Sequence, residues 1–593
     1  MGFLLVAVGF AVFWNSLPAP FTFDDDHAIV VNEQIRDIST SMSRTEQGSP
    51  LAGRPLVSLT FAINYALGEL NVRGYRLVNI AIHVVNALLL FGVVGRAFTA
   101  DHTDLAPRGV TSYTIAFAIA LVWMVHPLVT EPVDYVSQRT ELMMATFFLL
   151  TLYFGRSRPT VSVICCALGM ACKETMVVAP IVVLLYDRTF TFGSFREALR
   201  QRGGYYGALC ATWLVLVVLL WSSPRGDSAG FTGASVSSWT YLLDQSVMIV
   251  RYVRLAFWPQ GLVLDYGEPL RVSFGEVAPY VFAVAALATA SAVALVRNVP
   301  SGFLGAWFFL TLAPTSSIVP ISTEVGAERR MYLPLMAIVT LALAPVARAF
   351  MARASRGASP KGLRHRFTGS FFIILAPITL LLCVATYQRN AEYRSGLTLW
   401  QTVLDRWPPH ARAHRNLAAE LKLANRRDEE VEHLRAAVKD LPELRSVLGL
   451  ELLALGRNME AADEFRLYLR HHPRDADAWS NLGNALDGLG RGDEALDAFS
   501  HAVDVDPNNG LSQRNLALQY LQKDDFNNAV VHAREGVRLT PGDADAHTLL
   551  GLALIGQQKI DEALAEFRTS LQLRPTNNDA SGYLERTLKA IGR

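Results

Sequence analysis

Residues 477–507 read DAWSNLGNALDGLGRGDEALDAFSHAVDVDP. Small residues (Gly483, Ala495, Ala502) sit where two helices must approach closely, and Trp479, Leu482 and Phe499 fill the gap between them. Gly490 separates the two helical stretches and Pro507 closes the unit. The same punctuation recurs at Pro408, Pro442, Pro473, Pro541 and Pro575, in steps of 34 residues apart from one of 31 between Pro442 and Pro473. Ala529, then Leu550, Gly551, Ala563 and Phe567, fall in the same register.

A 34-residue helix–turn–helix period ending in Pro is the tetratricopeptide signature. The array is expected from about 409 to 575, with a half-repeat before it (AEYRSGLTLWQTVLDRWP) and a capping helix over 576–593. Such solenoids present a concave surface suited to an extended polypeptide, or serve only as a scaffold.

Working back toward the N-terminus, the composition changes. The whole chain has 593 residues, is 51% hydrophobic and 18% charged, and its mean hydropathy is +0.25. Residues 1–390 are long apolar runs, while 409–593 hold 23 Lys+Arg against 29 Asp+Glu. The tail is therefore about −6 and the rest about +7, and neither half has the basic stripe that nucleic acid requires. The division expected is a membrane domain, 1–390, and a repeat domain, 391–593, in an all-α chain. All five cysteines lie in apolar segments and read as buried thiols.

Eleven apolar segments are candidate spans: 1–18, 76–96, 112–127, 141–155, 160–172, 175–187, 204–222, 277–296, 302–320, 331–350 and 368–387. The first is read as a retained span, since it has no basic flank and many spans follow. Residues 52–70 are read as a helix at the interface and 239–258 as an interfacial or re-entrant helix, because Arg251 and Arg254 sit in its middle. With a cytoplasmic N-terminus, one set of loops is basic throughout. It carries Arg96 and Arg108, Arg156 and Arg158, Arg188 to Arg202, Arg297, and six Lys or Arg between Arg348 and Arg366. Eleven spans then place the repeats outside.

The outer loops hold four polar clusters. They are Asp24-Asp25-Asp26; His126, Glu131, Arg139 and Glu141; Lys173-Glu174; and Glu324, Glu328, Arg329 and Arg330. Arg54 joins them, and Asn79 and His83 lie inside the second span. Each has an ordinary reading. Lys173-Glu174 and Arg139-Glu141 read as structural ion pairs, Asp26 and Arg330 as solvated, and His83 as an interhelical histidine. Together they suit a charged ligand at one leaflet, because ionisable groups near hydrocarbon are costly. A lipid-phosphate-linked sugar fits that description. Its phosphate needs cations, the attacking hydroxyl a carboxylate base, and the oxocarbenium-like transition state a nearby negative charge.

FTFDDDHAIVVN, GRPLVSLTFAINYALG, YRLVNIAIHVVNALLL, HPLVTEPVDYVSQRTELMMATFFLL, CKETMVVAPIVVLLYD and AERRMYLPL occur in this order ahead of the repeats. Together they resemble the transmembrane and tetratricopeptide-repeat-containing protein O-mannosyltransferases, over nearly the whole chain. The resemblance implies a C-type glycosyltransferase membrane domain, a polyprenyl-phosphate sugar donor, Ser/Thr acceptors on a polypeptide held by the repeats, and inversion at the anomeric carbon. On the matching motif Asp24 is the first acid and Asp25 the second, both catalytic, while Asp26 departs from the pattern. Donor and substrate contacts are expected from Arg54, His83, Arg139, Glu141, Lys173, Glu174, Glu328 and Arg329. A divalent cation, Mg or Mn, would have to be held by Asp24 and Asp25. Since the chain ends in LKAIGR, without a retention signal, a bacterial inner membrane is the expected location. Two other functions compete: glycosyl transfer to a lipid or surface glycan, and an inactive membrane-anchored scaffold.

Overall fold

The computed structural model describes every residue except 44–48, 100–109, 223–236, 270–271, 318, 322, 355–359, 409 and 593. Arg108 and part of the basic loop 348–366 therefore lie outside the described residues. The regular elements described are all helices. They divide into two compact units, Met1–Pro408 and Pro409–Arg593.

In the first unit, five described helices are long and apolar enough to cross a membrane: Val72–Phe98, Glu174–Phe192, Phe195–Ser222, Phe274–Val296 and Phe371–Glu392. Ser112–Met124 and Pro127–Asp134, bent by 62°, together make a sixth or a re-entrant turn. The eleven expected segments are all helical, but Gly2–Ser16, Pro159–Met170, Pro300–Leu312 and Pro334–Phe350 are shorter apolar helices. Prolines at the first helical position fix where three of these begin. The chain is a multi-pass membrane protein, and the count of eleven spans is reduced to five or six of full length.

The helix Val72–Phe98 shows how this unit is held. It buries Arg76, Asn79, His83 and Asn86, spaced three or four apart on one face of an apolar helix. Each finds a partner on another segment. Arg76 donates to the carbonyls of Ala19 (3.0 Å) and Pro20 (2.8 Å), and Asn79 to those of Val133 and Val136. The His83 ring lies between the Tyr332 hydroxyl (2.8 Å) and the Met124 carbonyl (2.9 Å), and Asn86 donates to the Leu142 carbonyl (3.0 Å). In hydrocarbon such polar pairs bind helices that apolar contact alone does not bring together.

The two segments 52–70 and 239–258 are helical. Pro55–Gly68 has its proline at the first position, and Ser238–Phe257 buries Tyr241, Met248, Tyr252 and Leu255. Arg251 stacks on the rings of Tyr266 and Trp407, which is how it is accommodated. The cysteines depart from expectation at Cys210, which is exposed, while Cys165, Cys166 and Cys172 are buried.

The domain boundary shifts from 390/391 to 408/409. The helix Gly396–Arg406, expected to be a half-repeat, packs within the membrane unit. It buries Leu399, Trp400, Val403 and Leu404, and Arg406 pairs with Glu392 at 2.7 Å.

In the second unit, helix pairs begin at Ala411, Arg445, Ala476, Gly510 and Ala544, and Asn578–Ala590 follows them. In three of the pairs a glycine faces a phenylalanine. A Cβ at Gly449, Gly483 or Gly551 would come within 2.6–2.8 Å of Phe465, Phe499 or Phe567 respectively. In the fourth pair Ala517 and Ala533 take the two positions, and both are buried.

Candidate active site

Asp24, Asp25 and Asp26 have three different environments: half-buried, fully buried and exposed. The difference comes from a tight turn. The Asp25 amide donates to the Thr22 carbonyl (3.1 Å), and Phe23, at the second position of this turn, has φ +55°. The Asp25 carboxylate closes the turn by accepting from the Thr22 amide (3.1 Å). Its other oxygen accepts from the Ser137 amide (2.7 Å), fastening the turn to the loop before helix Arg139–Gly155. Burial pushes the Asp25 pKa up to about 6 against the pull of those two amides and of Arg76. Asp25 thus has both oxygens committed and supports its neighbour. Asp24 is half-buried, with its backbone amide donating to the Tyr135 hydroxyl at 3.0 Å.

The other loop clusters are linked by side-chain contacts to one another and to the segment 131–141 to which the turn is fastened. Tyr135 lies beside both aspartates. Burial, and then the charges of Asp24 and Asp25, hold its phenol well above the usual range, while Arg329 acts in the opposite direction. Glu131, on the same loop, accepts from the Arg329 backbone amide (2.8 Å) and from its guanidinium (2.5 Å). Arg329 also reaches Glu324 at 2.5 Å. Lys173 pairs with Glu141, and Arg54 with Glu174 at 3.3 Å. Burial is the main cause that lowers the Lys173 pKa. Glu141 opposes it, and the charges of Arg54 and Arg329 add to it. Arg54, Lys173 and Glu174 line a small cleft together with Gly53, Met170, Leu216, Leu219 and Leu220. The Nε of Arg54 is buried and makes no hydrogen bond.

Two pairings read from the sequence are replaced. Lys173-Glu174 and Arg139-Glu141 are not partners. Lys173 is extended and points away from its neighbour, and two residues apart on a helix lie on different faces. Arg330, expected to be solvated, is buried and donates to the Thr315 (2.9 Å) and Val325 (3.2 Å) carbonyls.

The structure does not bring all the expected residues to this group. His83 is committed between helices, as described above. Arg139 is fully buried and donates to Asn79 (2.7 Å), Asn64 (2.7 Å) and the Tyr75 carbonyl (2.9 Å), with its guanidinium over Phe61. It bolts the helix Pro55–Gly68 to Val72–Phe98, with no nitrogen turned toward a ligand. Glu328 is buried against Arg389 (3.3 Å) and the Tyr266 hydroxyl (3.2 Å), behind the group rather than in it. Burial raises its pKa to about 7, opposed by Arg389.

Asp24 and Asp25 do not fit a resident Mg or Mn ion. The oxygens of Asp25 already accept from backbone amides, and no cluster of three His, Cys, Asp or Glu suited to a metal occurs among the described residues. Tyr135 and Asp134 carry no distinguishing signal in HPLVTEPVDYVSQRTEL, where Glu131, Arg139 and Glu141 are the conspicuous charges. Asp134 is fully buried 4.0 Å from Arg76.

Comparison with known proteins adds a second line of observation. The profile of the Cytochrome c-type biogenesis protein H TPR domain matches residues 430–581. Human Protein O-mannosyl-transferase TMTC1 is 25% identical over 75% of this chain and 56% of its own length. Its curated homologues are protein O-mannosyl-transferases. TMTC3 of Homo sapiens is 27% identical over 37% of this chain and 26% of its own length, and Drosophila melanogaster Tmtc2 is 29% identical over 44% and 30%. The chain thus spans between about a quarter and just over half of the length of these relatives. All three are animal proteins, so they lend nothing to the expectation of a bacterial membrane.

Proposed function

We propose that this chain is a membrane glycosyltransferase that moves a sugar, mannose by the names of its relatives, from a polyprenyl-phosphate donor to Ser or Thr hydroxyls of a polypeptide. The observation that carries the reading is the linking of separate loop clusters by side-chain contacts, Arg329 to Glu131, Lys173 to Glu141 and Arg54 to Glu174, with Arg54 and Lys173 lining a cleft that also has apolar residues. A cleft lined by cationic and apolar residues suits a phosphate attached to a lipid, and the unpartnered Nε of Arg54 is a donor available to it.

In this reading Asp24 takes the proton of the acceptor hydroxyl as its oxygen attacks the anomeric carbon. The bond from that carbon to the phosphate oxygen breaks, and the polyprenyl phosphate leaves with the electron pair. Arg54, Lys173 and Arg329 hold the departing charge, and attack from the face opposite the phosphate inverts the centre. Asp25 and Tyr135 keep Asp24 in place. No step needs a metal. The repeats receive the acceptor chain on the outer side of a membrane whose inner side holds the N-terminus.

The test is to incubate the purified protein with a panel of polyprenyl-phosphate sugars and candidate polypeptides and to weigh the polypeptides intact. A hexose added only with a lipid-phosphate donor supports the reading. Transfer to a lipid or glycan with every polypeptide unmodified would replace the acceptor, and no transfer from any donor would leave the scaffold reading.

A further inference from the structure

We propose that Trp400 is a positioning residue for the reaction, holding Phe23 in the strained turn that aims Asp24. The inference rests on Asp24 being the base.

The strained residue comes first. Phe23 has φ +55°, in a turn position that favours glycine, and an aromatic residue there is an outlier. Such a conformation persists only when the surroundings over-determine it, and strain of this kind clusters at functional sites. Here two rings do so. Trp400 meets Phe23 edge-on, with ring centres 5.4 Å apart at 78°, and Tyr135 lies tilted against it at 6.2 Å. Tyr135 also accepts the hydrogen bond of the Asp24 amide, so the ring contacts and the direction of Asp24 are set together.

Trp400 is itself rigidly placed. It is buried on the inner face of helix Gly396–Arg406. The Ser395 hydroxyl caps the start of this helix by accepting from the Thr398 amide (3.1 Å). At its end Arg406 binds Glu392 and the Leu262 carbonyl. Its ring contact with Phe23 is the link from this helix to the turn. The helix is also the last element of the membrane unit before the repeat unit begins at Pro409, which places the support of Asp24 on the segment that joins the two.

The experiment measures kcat, donor KM and melting temperature for Trp400→Leu, Trp400→Phe, Phe23→Gly and the Trp400→Leu/Phe23→Gly double variant, alongside Asp24→Asn. Leu keeps an apolar filler but removes the ring, so Trp400→Leu is expected to lower kcat about tenfold or more with donor KM unchanged. Trp400→Phe should recover most of kcat. Phe23→Gly should reproduce the loss, and the double variant should fall no further than either single one, because both remove the same contact. Wild-type kcat in Trp400→Leu, with Asp24→Asn inactive, overturns the proposal while leaving the base assignment standing. A fall in melting temperature with kcat unchanged per folded molecule overturns it too. Full activity in Asp24→Asn removes the reading on which it rests.

Discussion

The two units use charge in opposite ways. The membrane unit holds sealed pairs: the side chains of Arg389 and Glu328 are 3% and 0% exposed. The repeat unit holds open ones: Arg574 and Asp545 are 49% and 48% exposed. The reason is the solvent each unit meets. A solenoid of short helices buries small and large apolar residues between its layers and leaves its charges to water. A bundle in hydrocarbon has no water on its flanks, so charges that function needs must be paired inside it. The lesson is that in this protein an ion pair's location says more about its purpose than its distance does. Paired charges of the repeat unit are surface chemistry, and those of the membrane unit either hold the bundle or face the cleft.

The contrast can be broken by removing one partner in each place. Arg389→Ala would strand Glu328 and is expected to cost about 3–5 kcal/mol, visible as a large drop in the melting temperature in detergent. Loss of less than 1 kcal/mol would mean that the buried network is wetter than described. A second measurement uses Asp25, whose folded pKa is raised from 3.8 to about 6 by burial. A raised carboxyl pKa gives stability that is fully present below 3.8 and is lost as pH rises through about 6. The stability of wild type relative to Asp25→Asn should therefore fall by up to about 3 kcal/mol between pH 4 and pH 7. A flat difference would place Asp25 in water.

Gly483→Ala tests the packing side of the repeats. The new Cβ would meet Phe499 at 2.6 Å, so the ring must move. Overpacking of about 1–3 kcal/mol, less the gain in helix propensity, should leave the repeat unit about 1 kcal/mol less stable by denaturant unfolding. Arg574→Ala should change it by no more than about 0.5 kcal/mol, since the pair it breaks is exposed.

The repeats were legible because their core is periodic in sequence, so that Gly483 facing Phe499 is written again at Gly551 and Phe567. The membrane helices were legible as apolar runs, but their ends were not. Those depend on prolines such as Pro159 and Pro300 and on whether a bend follows, as after Met124. Charge clustering in the outer loops was also legible, because Asp24, Glu131, Lys173 and Arg329 are all conspicuous in apolar surroundings. Their partners were not. Sequence neighbours were paired by adjacency, whereas Lys173 reaches Glu141 and Arg54 reaches Glu174 across the fold. Arg139 looked like a phosphate ligand because it is a cation at a helix start. In the fold its nitrogens donate to Asn64, Asn79 and the Tyr75 carbonyl, partners that sequence alone does not reveal. Trp400 had no signal in the site reading, since it belonged to what read as a half-repeat, and its value lies in a contact with a residue 377 positions earlier.

On the proposed reading a half-buried Asp24, beside a fully buried Asp25, is the base of a transfer reaction. The most direct measurement is the single-turnover rate of hexose transfer for Asp24→Asn and Asp26→Asn, with donor binding measured on the same preparations. The account predicts that Asp24→Asn loses about 10²–10⁴-fold in rate while binding donor normally, and that Asp26→Asn stays within about threefold of wild type because its side chain is exposed to solvent. Wild-type transfer by Asp24→Asn, or an inactive Asp26→Asn beside an active Asp24→Asn, would contradict it.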